Sequence, residues 1–336
     1  MDMALMTEEF LLPAGQKMSI SAEHAHSEES SRDHYAFVLN VSSLVDTNSL
    51  VVAPGHHLRR ADSEEISEIR DTLYSQMPHL KLMNPWELQK QDDGQFEQLP
   101  ESEWKYFVIG FRGTNITVCD IQQVCLFAPI QLKIGFTVIQ WSLRTGMTRA
   151  LQLHPGQLFQ NLDDSRMGDH PMLNVSASDA EELAALVTQF QQCDEQSDAK
   201  RMAKGPLELE ALPRYSSLLF LGYFALLESV LTHQPDPKDP LDSITRQVKT
   251  KIALLDNRFV RRLDYGAFGK EKPATIWTKM YDYRSALAHG GRADFKGKHS
   301  VLGNHANALQ LLKQTVAALV RQALLEPQLL DDLRNC

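Results

Sequence analysis

The sequence predicts an α+β domain over residues 1–195 followed by an all-α, four-helix-bundle domain over residues 214–330, with a linker at 196–213. Three observations predict it. Apolar, β-prone runs at 35–41, 50–53, 104–112 and 131–143 are confined to the first half. The second half carries four long segments with apolar residues at helical spacing. Between the halves, residues 194–213 turn charged and hold Gly205-Pro206 and Pro213, the punctuation of a domain boundary.

Each element has its own reason. Residues 21–34 (SAEHAHSEESSRDH) are polar and read as a loop or arm; His24 and His26 have no nearby groups to complete a ligand set. Two strands follow, separated from the next segment by a turn at Pro54-Gly55, and His56-His57 read as loop. Asp62 with Glu65 three positions on makes a capping box, and Ile66, Ile69, Leu73 and Met77 follow at helical spacing, so a helix spans about 63–76 and ends before Pro78. Residues 79–103 read as a long loop. The run 104–112 is a strand, Gly113-Thr114-Asn115 a turn, 116–128 ambiguous, and 131–143 a strand. Residues 155–174 look irregular. A helix over 178–192 starts on Ser178 with Glu181 at the capping offset.

In the second half, residues 214–233 are apolar almost all round and read as a buried helix, broken by Pro235, Pro237 and Pro240. A second helix covers 241–263, with Ile244, Val248, Ile252, Leu255 and Phe259 on one stripe. The third, 274–289, is stopped by Gly290-Gly291 in a left-handed C-terminal cap. The fourth, 301–326, ends at Pro327.

Composition excludes several classes. The chain has 336 residues, 43% hydrophobic and 23% charged, which rules out a disordered chain or a coiled coil. A net charge of −9 argues against coating nucleic acid through bulk charge. Cys119, Cys125, Cys193 and Cys336 include no Cys-x-x-Cys pair, so reduced thiols in a cytoplasmic protein are expected, with no metal and no cofactor. No apolar stretch reaches about 18 residues, so no membrane span is expected. The first fifteen residues lack a basic n-region and do not read as a signal peptide. Gly-x-Gly-x-x-Gly, Walker A and Gly-x-Ser-x-Gly motifs are absent.

The segment that carries chemistry is YDYRSALAHG, residues 281–290. Arg284 and His289 are five apart, about 500° of helix or about 140° around it. They do not share a stripe. His289, however, falls in the last turn before Gly-Gly, so both can converge on a group lying across the helix end. One arginine and one histidine without a metal suit RNA. A 2′-hydroxyl must lose a proton to attack its phosphate, and the leaving 5′-oxygen must gain one. Arginine forks onto phosphate oxygens and stabilises the growing charge. A single pair supplies one proton-transfer group; a two-fold dimer supplies two. The surrounding segment, 243–300, has thirteen Lys or Arg against five Asp or Glu in a chain that is acidic overall, which suits a confined anionic substrate. A bland reading of the same residues also stands. Arg284 is then a surface partner of Asp282 or Glu271, His289 a helix-end residue, Trp277, Tyr281 and Tyr283 core or dimer packing, and Arg258 to Arg262 a solvated face.

This helix resembles the signature of the HEPN superfamily, Arg followed four to six residues later by His near a helix end. Residues 210–330 as a whole resemble its ApeA-like branch, the likeness resting on FALLESVL (224–231) and on 281–290. The resemblance implies a dimeric four-helix bundle acting as a metal-independent endoribonuclease, with a composite site at the homodimer interface and a role in antiviral defence; the toxin half of a two-gene pair, held by an antitoxin or regulatory partner, is a further reading. It implies Arg284 and His289 as catalytic, with Glu228 orienting the cleft. Ser285 stands where many active members carry Asn, Asp or His, so a non-catalytic RNA- or protein-binding dimerisation module is the alternative. Tyr281, Ser285, Arg292 and Lys279 are the candidate substrate contacts.

Overall fold

The computed structural model describes residues 34–335, apart from 82–83, 92, 113–115, 144–145, 154–171, 210–211, 214–215, 236–237 and 239–242. The expectations for the arm at 21–33, the turn at 113–115 and most of 155–174 lie outside the described residues. The N-terminal half is an α/β region with a sheet, and the C-terminal half is helical.

The chain enters on β1 (His34–Val38), then β2 (Val41–Leu44), β3 (Ser49–Ala53) and β4 (His56–Arg60). Helix α1 (Ser63–Gln76) starts where the capping box puts it. Glu65 N–H donates to Asp62 Oδ1 and Asp62 N–H donates to Glu65 Oε2, both at 2.9 Å. Next come β5 (Leu88–Lys90), β6 (Phe96–Gln98), β7 (Phe107–Phe111), α2 (Ile116–Val124), β8 (Ile134–Leu143), β9 (Gly146–Leu153) and β10 (Leu173–Val175). Six strands form one sheet in the order β3-β4-β7-β1-β8-β9, antiparallel at every pairing. Every residue of β1 and β7 is buried, because both faces of the sheet are covered. On one face Tyr35, Phe37 and Val108 pack against Ile66, Ile69 and Leu73 of α1. On the other, Ala36, Val38, Ile109 and Leu58 join α2 and the helices that follow.

Several expectations change here. His56-His57 belong to β4, not to a loop: cross-strand pairing with β3 and β7 decides it. Residues 79–103 hold two 3-10 turns, Pro78–Lys81 and Glu101–Glu103, and the β5–β6 hairpin instead of a long loop. They are pinned by a buried polar cluster in which Tyr106 Oη donates to Glu87 Oε1 at 2.6 Å and Asn84 Nδ2 donates to Tyr106 Oη at 2.7 Å. Helix α3 (Ala177–Gln192) is capped by Ser176 with Asp179, two residues ahead of the expected Ser178 with Glu181. Both pairs fit the pattern, but strand β10 ends at Val175 and leaves Ser176 in the extended conformation a cap needs.

The expected linker holds helix α4 (Asp198–Leu209), with Pro206 inside it. Gly205 and Pro206 read as breakers in the sequence, yet both are buried in this helix. Their reason is packing against α5 (Ser217–Leu231). A Cβ at Gly205 would lie 2.6 Å from Leu226 Cδ2, and one at Gly222 would overlap Leu209 Cδ2. Two glycine notches, each filled by a leucine of the other helix, let α4 and α5 approach closely.

Then follow α6 (Ile244–Asp256), α7 (Pro273–Ala288), α8 (His305–Leu325) and α9 (Gln328–Asn335). The last forms beyond Pro327, where the sequence predicts an end; Leu329 and Leu333 bury one side of it. Helix α5 touches α6, α7, α8 and α9 as well as α4. These contacts bury Leu219, Phe220, Tyr223, Phe224, Leu227, Val230 and Leu231, whereas Leu218 and Ala225 stay exposed, so the helix expected to be buried all round keeps one open side.

Candidate functional site

Helix α7 points Ile276, Trp277, Met280 and Tyr283 into the core, at the i, i+1, i+4, i+7 spacing of one helical face. Trp277 Nε1 donates to Tyr265 Oη at 3.1 Å. The Tyr283 hydroxyl and His305 Nδ1 are hydrogen-bonded at 2.7 Å. Trp277 and Tyr283 are thus packing residues.

Arg284 lies beside that face and reaches α5. Its Nη2 donates to Glu228 Oε2 at 2.8 Å. The two side chains are 31% and 15% exposed, a half-sheltered pair that neutralises the one acid inside the apolar α5. The partner is therefore Glu228, not Asp282 or Glu271. Glu228 Oε1 is buried with no hydrogen-bond donor among the described residues. Tyr281 completes the group. Its ring sits edge-on to Phe224 at 6.1 Å, and the Arg284 guanidinium carbon is 5.9 Å from its centroid.

His289 occupies the C-cap, exposed. Its N–H donates to the Ser285 carbonyl at 3.2 Å. Beyond it, Gly290 takes φ +71°, donating to Leu287 O, and Gly291 donates to Ala286 O at 2.7 Å. These are the two bonds of a Schellman cap, as the Gly-Gly pair predicts. The His289 side chain has no partner among the described residues. Ser285 is half-buried, with its side chain unpaired in the same sense. Lys279 pairs with Asp282 at 3.4 Å. Arg292 is exposed just past the cap.

The structure therefore brings Arg284, Glu228 and Tyr281 into contact and stands His289 and Arg292 at the exposed helix end. The arginines of the run at 258–262 lie on an exposed face, as the bland reading has it, on which Arg258 meets Glu326 at 2.5 Å and Arg261 meets Glu182 at 2.7 Å. Sequence reasoning missed the ring cluster behind the site, where Phe220, Phe295, His299 and His305 surround Tyr283. It also missed the turn centred on Asp294, whose signal was the Asp-x-x-Gly spacing of Asp294 and Gly297.

Among the described residues, no three His, Cys, Asp or Glu side chains are grouped to hold a metal. No described helix is long and apolar enough to cross a membrane. No family model, curated protein or solved structure matches the chain.

Proposed function

We propose that the C-terminal helices form a HEPN-type four-helix bundle that pairs about a two-fold axis and cleaves RNA. One His289 takes the proton of a ribose 2′-hydroxyl as that oxygen attacks the adjacent phosphorus. The partner copy's imidazole gives a proton to the departing 5′-oxygen. The products are a 2′,3′-cyclic phosphate and a 5′-hydroxyl, so the step needs no water and no metal. Arg284 holds the phosphate and stabilises its added charge. Glu228 fixes the guanidinium through one N–H and leaves the others for substrate. Tyr281, Ser285, Arg292 and Lys279 serve as substrate contacts, Lys279 after release from Asp282. The wider setting belongs to the same proposal: a cytoplasmic defence or toxin protein, the N-terminal α/β region sensing or restraining the nuclease, and an antitoxin or regulatory partner.

The observation that carries this reading is an arginine anchored by an acid on α5 with a solvent-facing histidine on the terminal cap of the same helix. The test compares wild type with His289→Ala and Arg284→Ala on RNA in EDTA. Loss of the cyclic-phosphate product by about 10²- to 10⁴-fold in His289→Ala, with EDTA harmless to wild type, is the expected result. Equal activity in the variant, or activity abolished by EDTA, overturns the mechanism. A second reading, a non-catalytic RNA- or protein-binding dimerisation module, draws on the same ion pair: Arg284 already has a carboxylate partner. It predicts RNA bound by wild type but never cut.

A further inference from the structure

Many cations of the 243–300 segment are already engaged within the protein. Arg258, Arg261, Lys279 and Arg284 each meet a carboxylate, Lys249 donates to Thr278 Oγ1, and Lys251 donates to the Leu333 carbonyl. Arg246, Arg262, Lys270 and Lys272 are exposed without a side-chain partner among the described residues, but the loop between α7 and α8 gathers three such cations on one hydrogen-bonded turn next to His289. Arg292, Lys296 and Lys298 are exposed and have no side-chain partner among the described residues. The one acid of this loop, Asp294, is turned onto its own backbone. Its Oδ1 accepts the N–H groups of Lys296 (3.2 Å) and Gly297 (2.8 Å), and its Oδ2 that of Lys298 (3.3 Å). Its carbonyl accepts from His299 at 2.8 Å, and its own N–H donates to His299 Nδ1 at 3.1 Å. A Cβ at Gly297 would overlap Asp294 Oδ2, so the turn closes around glycine. Phe295 and buried His299 seat the loop on the Tyr283 ring, at 5.2 and 5.5 Å between centroids.

We propose that this loop is a preorganised phosphate-binding surface that grips the backbone of single-stranded RNA beside His289. Its conformation is held before the ligand arrives, so little ordering entropy remains to be lost on binding. The cations contact phosphates without reading bases, which makes the grip insensitive to sequence. An acidic protein partner fits less well: such interfaces centre on exposed apolar or aromatic anchors, and Phe295 and His299 of this loop are both turned inward onto Tyr283.

The inference rests on the RNA-directed reading above, and its test separates the two. The probe is a short, uncleavable 2′-O-methyl RNA oligonucleotide, titrated at several salt concentrations. Replacing Arg292, Lys296 and Lys298 together by Gln should flatten the logarithmic salt slope by about 2 and weaken binding roughly 50-fold at 0.15 M salt. Asp294→Ala raises the net charge by one, so bulk charge alone predicts tighter binding; loss of the turn predicts weaker binding. Unchanged affinity in the triple variant, or tighter binding by Asp294→Ala, overturns the proposal. So does a poly-glutamate peptide that binds wild type as tightly as the oligonucleotide. An oligonucleotide held through the loop by a protein that never cuts RNA supports the loop and removes only the nuclease. RNA cut at the wild-type rate by the triple variant, at subsaturating RNA, overturns the loop and keeps the nuclease.

Discussion

Glu228 sits in a helix whose neighbours Leu227 and Val230 are nearly inaccessible to water. An acid there needs a cation, and Arg284 supplies it across the α5–α7 contact. A buried histidine makes the opposite demand elsewhere. His56 stacks on Phe111 at 5.1 Å with the ring planes 10° apart, and its Nδ1 hydrogen-bonds the Pro54 carbonyl at 2.9 Å. Burial holds its pKa below the ordinary 6.5, outweighing the Pro54 bond, and His57 pushes the same way. His305 is lowered by burial too. For a group depressed in the fold, stability is complete above the ordinary value and is lost as pH falls below it, because the unfolded chain takes the proton first. The protein should therefore lose stability to urea between pH 7 and pH 5. His56→Phe, which keeps a ring against Phe111, should flatten that dependence; an unaltered slope would count against His56 as a source.

At the scale of elements, glycine decides two junctions. The cap of α7 needs φ +71° at residue 290, where an L side chain is strained. Gly290→Ala should cost about 1 kcal/mol, read as a lower urea midpoint. It should also reduce RNA cleavage, since the cap fixes where His289 leaves the helix; full activity with the expected destabilisation would separate cap from catalysis. The α4–α5 contact uses Gly205 and Gly222 as notches. Gly222→Leu forces a side chain into the space of Leu209 and should destabilise by about 1–3 kcal/mol, although leucine is the better helix former. A thermal midpoint equal to or above wild type would refute the notch.

For the molecule as a whole, the halves share one core. Sheet residues, α2, α3 and the C-terminal helices belong to a single cluster of buried side chains. Polar links cross the same region: Arg321 donates to the Phe127 carbonyl, Arg261 meets Glu182, and Gln123 Nε2 lies 3.4 Å from the Ala203 carbonyl. Removing Arg321 from water lowers its pKa, so it depends on that carbonyl and on Glu182 nearby. Thermal unfolding should be one cooperative transition, with calorimetric and van't Hoff enthalpies equal. Two resolved transitions would show that the halves unfold independently.

The sequence by itself determined the elements whose causes are local. Asp62 with Glu65 sets the start of α1, Gly290-Gly291 sets the end of α7, and the largely apolar α5 declares itself a core helix although Leu218 stays exposed, because a cap or a stripe is written within a few residues of where it acts. Arg284 and His289 were legible as candidates for the same reason. The tertiary structure decided what depends on distant partners. It placed His56 in a strand, kept α4 helical through Gly205-Pro206 where Leu226 of the facing helix fills the notch at Gly205, and chose Glu228 from 56 positions away as the anchor of Arg284. Pairing across a sheet and packing between helices are long-range choices, and no local pattern encodes which partner will be there.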